Sequence, residues 1–200
     1  MLIFWTQKLV FLATPKAGSS AVETALESLA DVALTRPAVL KHASARDFQD
    51  HLAPLLSSKT EASFTTVALM REPLDWLRSL YRFRLRDLIE ESDISAGYSF
   101  DQFARDYIED PRAGFSDVPS QAAFLCDDAG TPLVDRIFPY ERIEDFVHFL
   151  EDQLGFAITL PRVNVPPAVE TGLAPETEAA LRVAMQDDLA LYDRVTRALA

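Results

Sequence analysis

Hydrophobic and polar positions change their period several times along this chain, and the changes mark its elements. Leu9 to Thr14, LVFLAT, is a short unbroken apolar run closed by Pro15 and Gly18. Such a run with turn residues behind it predicts a buried strand. From Ser19 onward Val22, Leu26 and Leu29 recur at helical spacing. A helix is therefore expected there, capped by Ser19 or Ser20, with Glu23 reaching back to Ser20 as a capping-box partner. The preceding MLIFWTQK continues the apolar character and reads as strand rather than signal peptide, because Gln7 and Lys8 interrupt it and no basic segment opens it.

The same strand-to-helix change recurs. After a helix with Phe48, Leu52 and Leu55 on one face, Ser63 to Pro73 (SFTTVALMREP) is β-rich and ends in a proline suited to a first helical position. The helix that follows runs to about Glu91, with Leu74, Leu77, Tyr81, Leu85 and Leu88 as its apolar stripe. SFDQFARDYIED predicts a helix ended by Pro111, PRAGFSD a loop, VPSQAAFLC either helix or extended chain, and VDRIFPY a third strand. RIEDFVHFLEDQLG is an amphipathic helix closed by Gly155, LPRVNVPPAVETG a connector, and the C-terminal helix breaks near Asp187. Strands alternating with helices predict an α/β fold with a central, mainly parallel sheet flanked by helices, a three-layer arrangement. Such sheets bind ligands at the carboxyl ends of their strands.

Size and charge narrow the function. The 200 residues suit one domain spanning the whole chain, 1–200. The formal net charge of -12 disfavours nucleic acid and anionic membrane as partners. Against that acidity Arg71, Arg78, Arg82, Arg84 and Arg86 bunch together, which points to a focused anion site. The stripe Arg78, Arg82 and Arg86 reads first as a solvated or salt-bridged helix face, with an acidic acceptor as the functional alternative. No apolar run is long enough to span a membrane. Cys126 is the single cysteine, so no internal disulfide forms, and a reducing, cytoplasmic location is expected. His42, His51 and His148 have no metal-ligand spacing, and no metal is expected.

The chemistry concentrates in the first turn. A strand-to-helix turn presents backbone N–H groups and the positive end of a helix dipole. Gly18 allows close approach of the backbone, Ser19 and Ser20 add hydroxyl donors, and Lys16 adds a charge. Together they outline a phosphate-loop-like cradle for a tetrahedral anion. An ordinary βα turn with a surface lysine has the same outline. The lysine precedes the glycine, the reverse of the usual triphosphate loop, and no acidic strand end stands by to hold magnesium.

Two segments then resemble the signatures of the sulfotransferases. TPKAGSSAVETAL resembles their 5′-phosphosulfate loop, Pro-Lys-small-Gly followed by two Ser/Thr. VALMREPLDWLRSLYRFR resembles their 3′-phosphate motif, with Arg71 and Ser79 at its two contact positions. SQAAFLC, VDRIFPYERIEDFVHFL and LPRVN are similar to later blocks of the carbohydrate-type and bacterial members. The resemblance covers roughly Leu9 to Asn164, with the two signatures ~50 residues apart and in the right order. It implies the cofactor 3′-phosphoadenosine 5′-phosphosulfate, held by Lys16, Ala17, Gly18, Ser19 and Ser20 at its 5′ side and by Arg71 and Ser79 at its 3′ side. It also implies a P-loop-like fold and transfer of a sulfuryl group to a small-molecule or carbohydrate acceptor, with Lys16 stabilising the leaving oxygen. Trp76 stands where members often carry a basic residue, and the glycine-rich C-terminal motif of the phenol and steroid enzymes is absent.

A base should take the acceptor proton. His42, in VLKHASA, is the first candidate, since it follows an apolar run, precedes a helix and resembles a histidine of many bacterial members. It could equally cap or pack against the next helix. Glu23 and Asp47 are weaker candidates, His51 a boundary residue and His148 structural. Tyr140 and Glu141 end a strand and border the site without an assigned role. Trp5 and Trp76 read as packing residues, and Cys126 as buried and inert. The compact length leaves room for a homodimer sharing the acceptor site. Two rivals stand beside the transferase: a P-loop-type kinase, and a degenerate nucleotide- or anion-binding module without transfer activity.

Overall fold

A computed structural model of the chain describes residues 1–91, 98–110, 118–163 and 169–198, with backbone alone for 86–91. The N-terminal apolar stretch forms two strands, β1 (Leu2–Phe4) and β2 (Leu9–Leu12), paired antiparallel. Gln7 and Lys8, which interrupt the pattern, belong to the turn between them, and Lys8 has φ 55. Helix α1 (Ser19–Leu26) follows the loop after β2, and a short β3 (Val32–Ala33) pairs antiparallel with β1. Next come α2 (Ala38–Lys41), α3 (Ala45–Asp47), a five-residue π-helical turn (Phe48–Leu52) and α4 (Ala53–Ser57). Then β4 (Thr65–Met70) leads into α5 (Pro73–Glu91), α6 (Phe100–Glu109) and α7 (Gln121–Leu125). The chain closes with β5 (Arg136–Pro139), α8 (Ile143–Leu154), α9 (Pro175–Ala184) and α10 (Gln186–Arg197).

The five strands lie in the order β3-β1-β2-β4-β5. β2 pairs parallel with β4 and β4 with β5, whereas both pairings of β1 are antiparallel. The sheet is therefore mixed, not mainly parallel as the alternating pattern predicts. A hairpin at the N-terminus accounts for the difference: Leu2–Phe4 and Leu9–Leu12 are too close in sequence for a parallel crossover, which needs a dozen residues or more.

Strand residues alternate between two cores. Ile3, Val10, Leu12, Ala68 and Met70 face one side, against Phe48, Leu56, Phe124 and Leu191. Leu2, Leu9, Phe11, Val67 and Leu69 face the other, against Val22, Leu26, Phe146 and Leu150. Helices thus cover both faces of the sheet. A third cluster joins Leu74, Trp76, Leu77, Leu80, Tyr81 and Leu85 of α5 to residues of α6 and α9, and no strand residue belongs to it. Helix α5 therefore buries its apolar stripe against other helices beyond the sheet edge.

Several local expectations change. Leu29 is 53% exposed because α1 ends at Leu26 and a 3-10 turn follows. Leu55 is 56% exposed and Leu56 is buried. The π turn is the reason, since its wider coil favours spacings of four, through Phe48, Leu52 and Leu56. The C-terminal helix breaks at Met185. VPSQAAFLC resolves as helix over Gln121–Leu125. Leu88 and the loop PRAGFSD lie outside the residues or side chains described.

Candidate functional site

The chain leaves β2 toward β3 on one side of the sheet and leaves β4 toward β5 on the other. The crevice between the carboxyl ends of β2 and β4 is thus a topological switch point, the place where open α/β sheets take ligands. Both signature segments converge there. The loop Ala13–Gly18 leaves β2, and Arg71 follows Met70 at the end of β4.

The loop is tightly specified. Lys16 has φ 61 and Gly18 φ 85, so two of its residues are left-handed. For Lys16 this costs strain of about 1–3 kcal/mol, which surrounding contacts must offset. Gly18 is the N-cap of α1 and has no alternative, because a Cβ there would lie 2.5 Å from Cε2 of Tyr140. Trp76, fully buried on α5, donates its indole N–H to the Pro15 carbonyl at 2.9 Å. Two turns later Phe83 places its ring 3.9 Å from Lys16 Nζ. Helix α5 therefore runs alongside the loop and holds it at two points. At the base of the loop the Thr14 hydroxyl is buried and has no hydrogen-bond partner among the described residues. An oxyanion in the loop is a partner that such a donor would satisfy.

Glu23 does not close a capping box with Ser20. Gly18 caps α1 without a side chain, and Glu23 is buried. Its carboxylate pairs with Lys41 Nζ at 2.6 Å and lies 3.6 Å from the Met1 ammonium. Two positive groups in a buried setting outcompete a backbone N–H for that charge. The capping box forms instead between Ser44 and Asp47. Hydrogen bonds from the Ser44 hydroxyl and backbone hold the Asp47 carboxyl below its usual range, which suits a cap and not a base.

The Lys41–Glu23 pair anchors the segment that carries His42. The His42 Nδ1 lies 2.6 Å from the carbonyl of Ala13, the residue that opens the loop. A carbonyl only accepts, so Nδ1 carries the hydrogen and Nε2 keeps the lone pair. Burial lowers the His42 pKa, with Lys41 acting the same way and the bond to Ala13 opposing. The imidazole is neutral at physiological pH, with its basic nitrogen directed by the bond on the other side. His51 and His148 are both solvent-exposed, His51 in the π turn and His148 on α8.

Across the crevice Arg71 is held at both ends. The buried Gln121 side chain accepts from the Arg71 N–H and donates to the Arg71 carbonyl, each at 2.8 Å. The guanidinium binds Asp75 through Nε at 2.7 Å and Nη2 at 2.5 Å, and its centre lies 4.8 Å from the Tyr140 ring. Asp75 occupies one edge of the fork, and Nη1 makes no hydrogen bond among the described residues. Asp75 thus orients Arg71 while half neutralising it. Ser79 lies two turns further along α5, four residues beyond Asp75 and half-buried.

Sequence reasoning assigned no role to three residues that build this edge. Tyr140 packs its ring between Gly18 and Arg71 and so links the two signatures. Glu141 accepts from the Glu72 backbone at 2.9 Å and from the Tyr192 hydroxyl at 2.8 Å, tying α10 to the end of β4. Gln121 is held in turn by Asp188, which is 2% exposed and accepts from the Ala122 N–H at the start of α7. A glutamine and an aspartate in ordinary helical sequence carry no signal of such roles. A tyrosine ending a strand carries some. Trp76 is a packing residue as expected, and its hydrogen bond to Pro15 makes it a loop clamp too.

Two concavities lie off this edge. One of about 220 Å³ separates α6 from α9 beside Arg105 and Thr177. One of about 520 Å³ between α7 and α10 has Arg46, Cys126, Asp128 and Arg194 among its lining residues. Cys126 is buried and free, and burial raises its thiol pKa, as an inert cysteine requires. No group of metal-binding side chains occurs among the described residues, nor any helix long and apolar enough to cross a membrane. No family model, curated protein or solved structure matches the chain.

Proposed function

We propose that this chain is a sulfotransferase that moves a sulfuryl group from 3′-phosphoadenosine 5′-phosphosulfate to an acceptor hydroxyl. The observation that carries the proposal is the meeting of the two signature segments at one crevice. The Lys16–Ser20 loop and Arg71 stand on the carboxyl ends of adjacent strands, bridged by Tyr140. In this reading the strand–loop–helix unit of β2 and α1, with β4 parallel beside it, is the core of a P-loop-like fold.

The residues present fit the nucleotide. Lys16, Ala17, Gly18, Ser19 and Ser20 would hold its 5′ side, where first-turn N–H groups lack intrahelical acceptors and the Thr14 hydroxyl lacks a partner. Arg71 and Ser79 would hold its 3′-phosphate, Arg71 through the edge of its fork that Asp75 leaves open. When bound, the nucleotide supplies an activated sulfuryl group whose bond to the phosphate oxygen breaks as the acceptor oxygen attacks. Lys16 neutralises the charge that grows on the departing oxygen, and the helix N-terminus assists. His42 takes the acceptor proton on Nε2, and its Nδ1 bond to Ala13 stabilises the imidazolium that results. Phe83 holds the Lys16 ammonium against α5, where a cation–ring contact contributes about 0.5–2 kcal/mol.

Incubation with sulfur-labelled nucleotide and a panel of hydroxyl acceptors tests this. Transfer of label by the wild type and its loss in Lys16→Ala with an unchanged fold are the expected results. Nucleotide binding without transfer to any acceptor would favour a binding module. Magnesium-dependent ATP turnover would favour a kinase.

A further inference from the structure

We infer that helix α10 makes the site selective for a 3′-phosphate, with Asp188 and Tyr192 as positioning residues that hold Arg71 through two side-chain relays; this rests on the sulfotransferase reading above. Arg71 stands just past the support of the sheet. The last pairs of β4 are Ala68 with Leu12 on one side and Met70 with Pro139 on the other. Pro139 has no N–H to give, and the chain after it turns into a 3-10 helix over Tyr140–Arg142. Side chains take over where the strands stop.

The first relay reaches the Arg71 backbone. The Gln121 amide stands in for a strand partner, accepting from the Arg71 N–H and donating to its carbonyl, each at 2.8 Å. A carboxylate could make only the first of these bonds. Gln121 opens α7, and Asp188 accepts from the next N–H, that of Ala122, at 2.6 Å. The Ser120 hydroxyl already accepts from Ala123, so α7 has an ordinary cap without Asp188. Burying a carboxylate at 2% exposure works against the fold, and burial raises its pKa to about 6. What the bond secures is the turn that carries Gln121.

The second relay reaches the guanidinium. Tyr192 lies four residues on from Asp188, on the same face of α10. Its hydroxyl donates to Glu141 at 2.8 Å, and the other Glu141 oxygen accepts from the Glu72 N–H at 2.9 Å. The Glu72 carboxylate accepts from the Asp75 N–H at 2.8 Å, and Asp75 grips the Arg71 fork. Burial and the Glu141 carboxylate raise the Tyr192 pKa, so the hydroxyl keeps the proton it donates. Two adjacent turns of one helix thus converge on one arginine by separate routes. A guanidinium pairs with phosphate best when its fork is aligned, and none of these bonds reaches the Lys16–Ser20 loop. The relays therefore act on the 3′ side of the nucleotide.

Calorimetric titration of the full chain with 3′-phosphoadenosine 5′-phosphate, the desulfated nucleotide, and with adenosine 5′-phosphate tests the inference, because only the first carries the group assigned to Arg71. The wild type is expected to bind the first at least about tenfold tighter. Tyr192→Phe removes one hydroxyl, and Gln121→Met keeps the length of the side chain without its amide. Each should cut that preference at least about threefold and leave the affinity for adenosine 5′-phosphate within about twofold. Asp188→Ala should do the same, whereas Asp188→Asn, which keeps an acceptor for the Ala122 N–H, should retain most of the preference. Phe103→Leu, which lowers stability from a different cluster, should retain all of it. Wild-type preference in Tyr192→Phe or Gln121→Met, or a parallel loss of both nucleotides, would overturn the inference. Tyr192→Phe decides it alone should the buried variants not fold. If the wild type binds neither nucleotide, or both equally, the sulfotransferase reading fails and the inference with it. A wild-type preference that the variants share overturns the inference alone.

Discussion

Trp76→Phe isolates the clamp between the two signatures. The substitution keeps an aromatic ring in the cluster of α5, α6 and α9 but removes the indole N–H that meets the Pro15 carbonyl at 2.9 Å. Pro15 is buried, so its carbonyl is left without a protein partner. An orphaned buried acceptor costs about 1–3 kcal/mol. The missing second ring adds a cavity term, and the total stays below the about 3–5 kcal/mol of full truncation to Ala. For a chain of this length each kcal/mol lowers the melting temperature by about 2–4 °C. A fall of about 5–10 °C is therefore expected by thermal denaturation. Stability alone does not separate a clamp from a packing residue, so the second measurement is affinity for the desulfated nucleotide. Phe103→Leu, which trims the same cluster from α6, should lower stability and leave nucleotide affinity intact. Trp76→Phe should lower both, because the carbonyl it releases adjoins Lys16. A Trp76→Phe protein that matches Phe103→Leu in retaining full nucleotide affinity would refute the clamp.

Other substitutions probe other joints of the edge. Gly18→Ala forces a Cβ to within 2.5 Å of the Tyr140 ring at a left-handed residue; expression of a folded protein with wild-type melting temperature would contradict the packing described. His42→Asn keeps a donor for the Ala13 carbonyl but no base, so it should fold like wild type and lose turnover by about 10²–10⁴-fold, measured by label transfer. The wild-type rate itself should fall on acidification with an apparent pKa below the ordinary histidine value of 6.5, because burial depresses that of His42. The same depression means the unfolded chain binds this proton more readily, so stability contributed by neutral His42 is full above 6.5 and is lost as pH falls through the folded pKa. Asp188 runs the other way. Burial raises its pKa from 3.8 to about 6, so the protonated form favours folding and that contribution is lost as pH rises from 3.8 through 6. Asp188→Asn should flatten the stability profile across that window in denaturant titrations.

Much of the fold is legible because the chain states it locally. The runs Leu9–Leu12 and Thr65–Met70 are bounded by turn residues, and the spacing of Leu74, Leu77, Tyr81 and Leu85 fixes the buried face of α5. The antiparallel β1 is illegible in pattern alone, since one apolar stretch of hairpin looks like one longer strand. Glu23 shows the limit of local rules. Its spacing from Ser20 satisfies a capping box, and only the fold brings Lys41 and Met1 to its carboxylate. For the candidate site, residue types that bind anions announce themselves, whereas the residues that position them do not. Lys16, Gly18 and Arg71 stand out in sequence. Gln121 and Asp188 hold the Arg71 backbone and helix α7 from 50 or more residues away, through contacts that no spacing encodes.

Binding of 3′-phosphoadenosine 5′-phosphate tests the central claim most directly, because it needs no knowledge of the acceptor. At a concentration a hundredfold above its Kd, a ligand of the folded state adds about 2.7 kcal/mol of stability. For this chain that is a rise of about 5–10 °C in melting temperature. The account predicts this rise without added metal, its loss in Lys16→Ala and Arg71→Ala, and a smaller effect from adenosine 5′-phosphate, which lacks the 3′-phosphate. No rise at saturating nucleotide, or an equal rise with the nucleotide that lacks the 3′-phosphate, would contradict it.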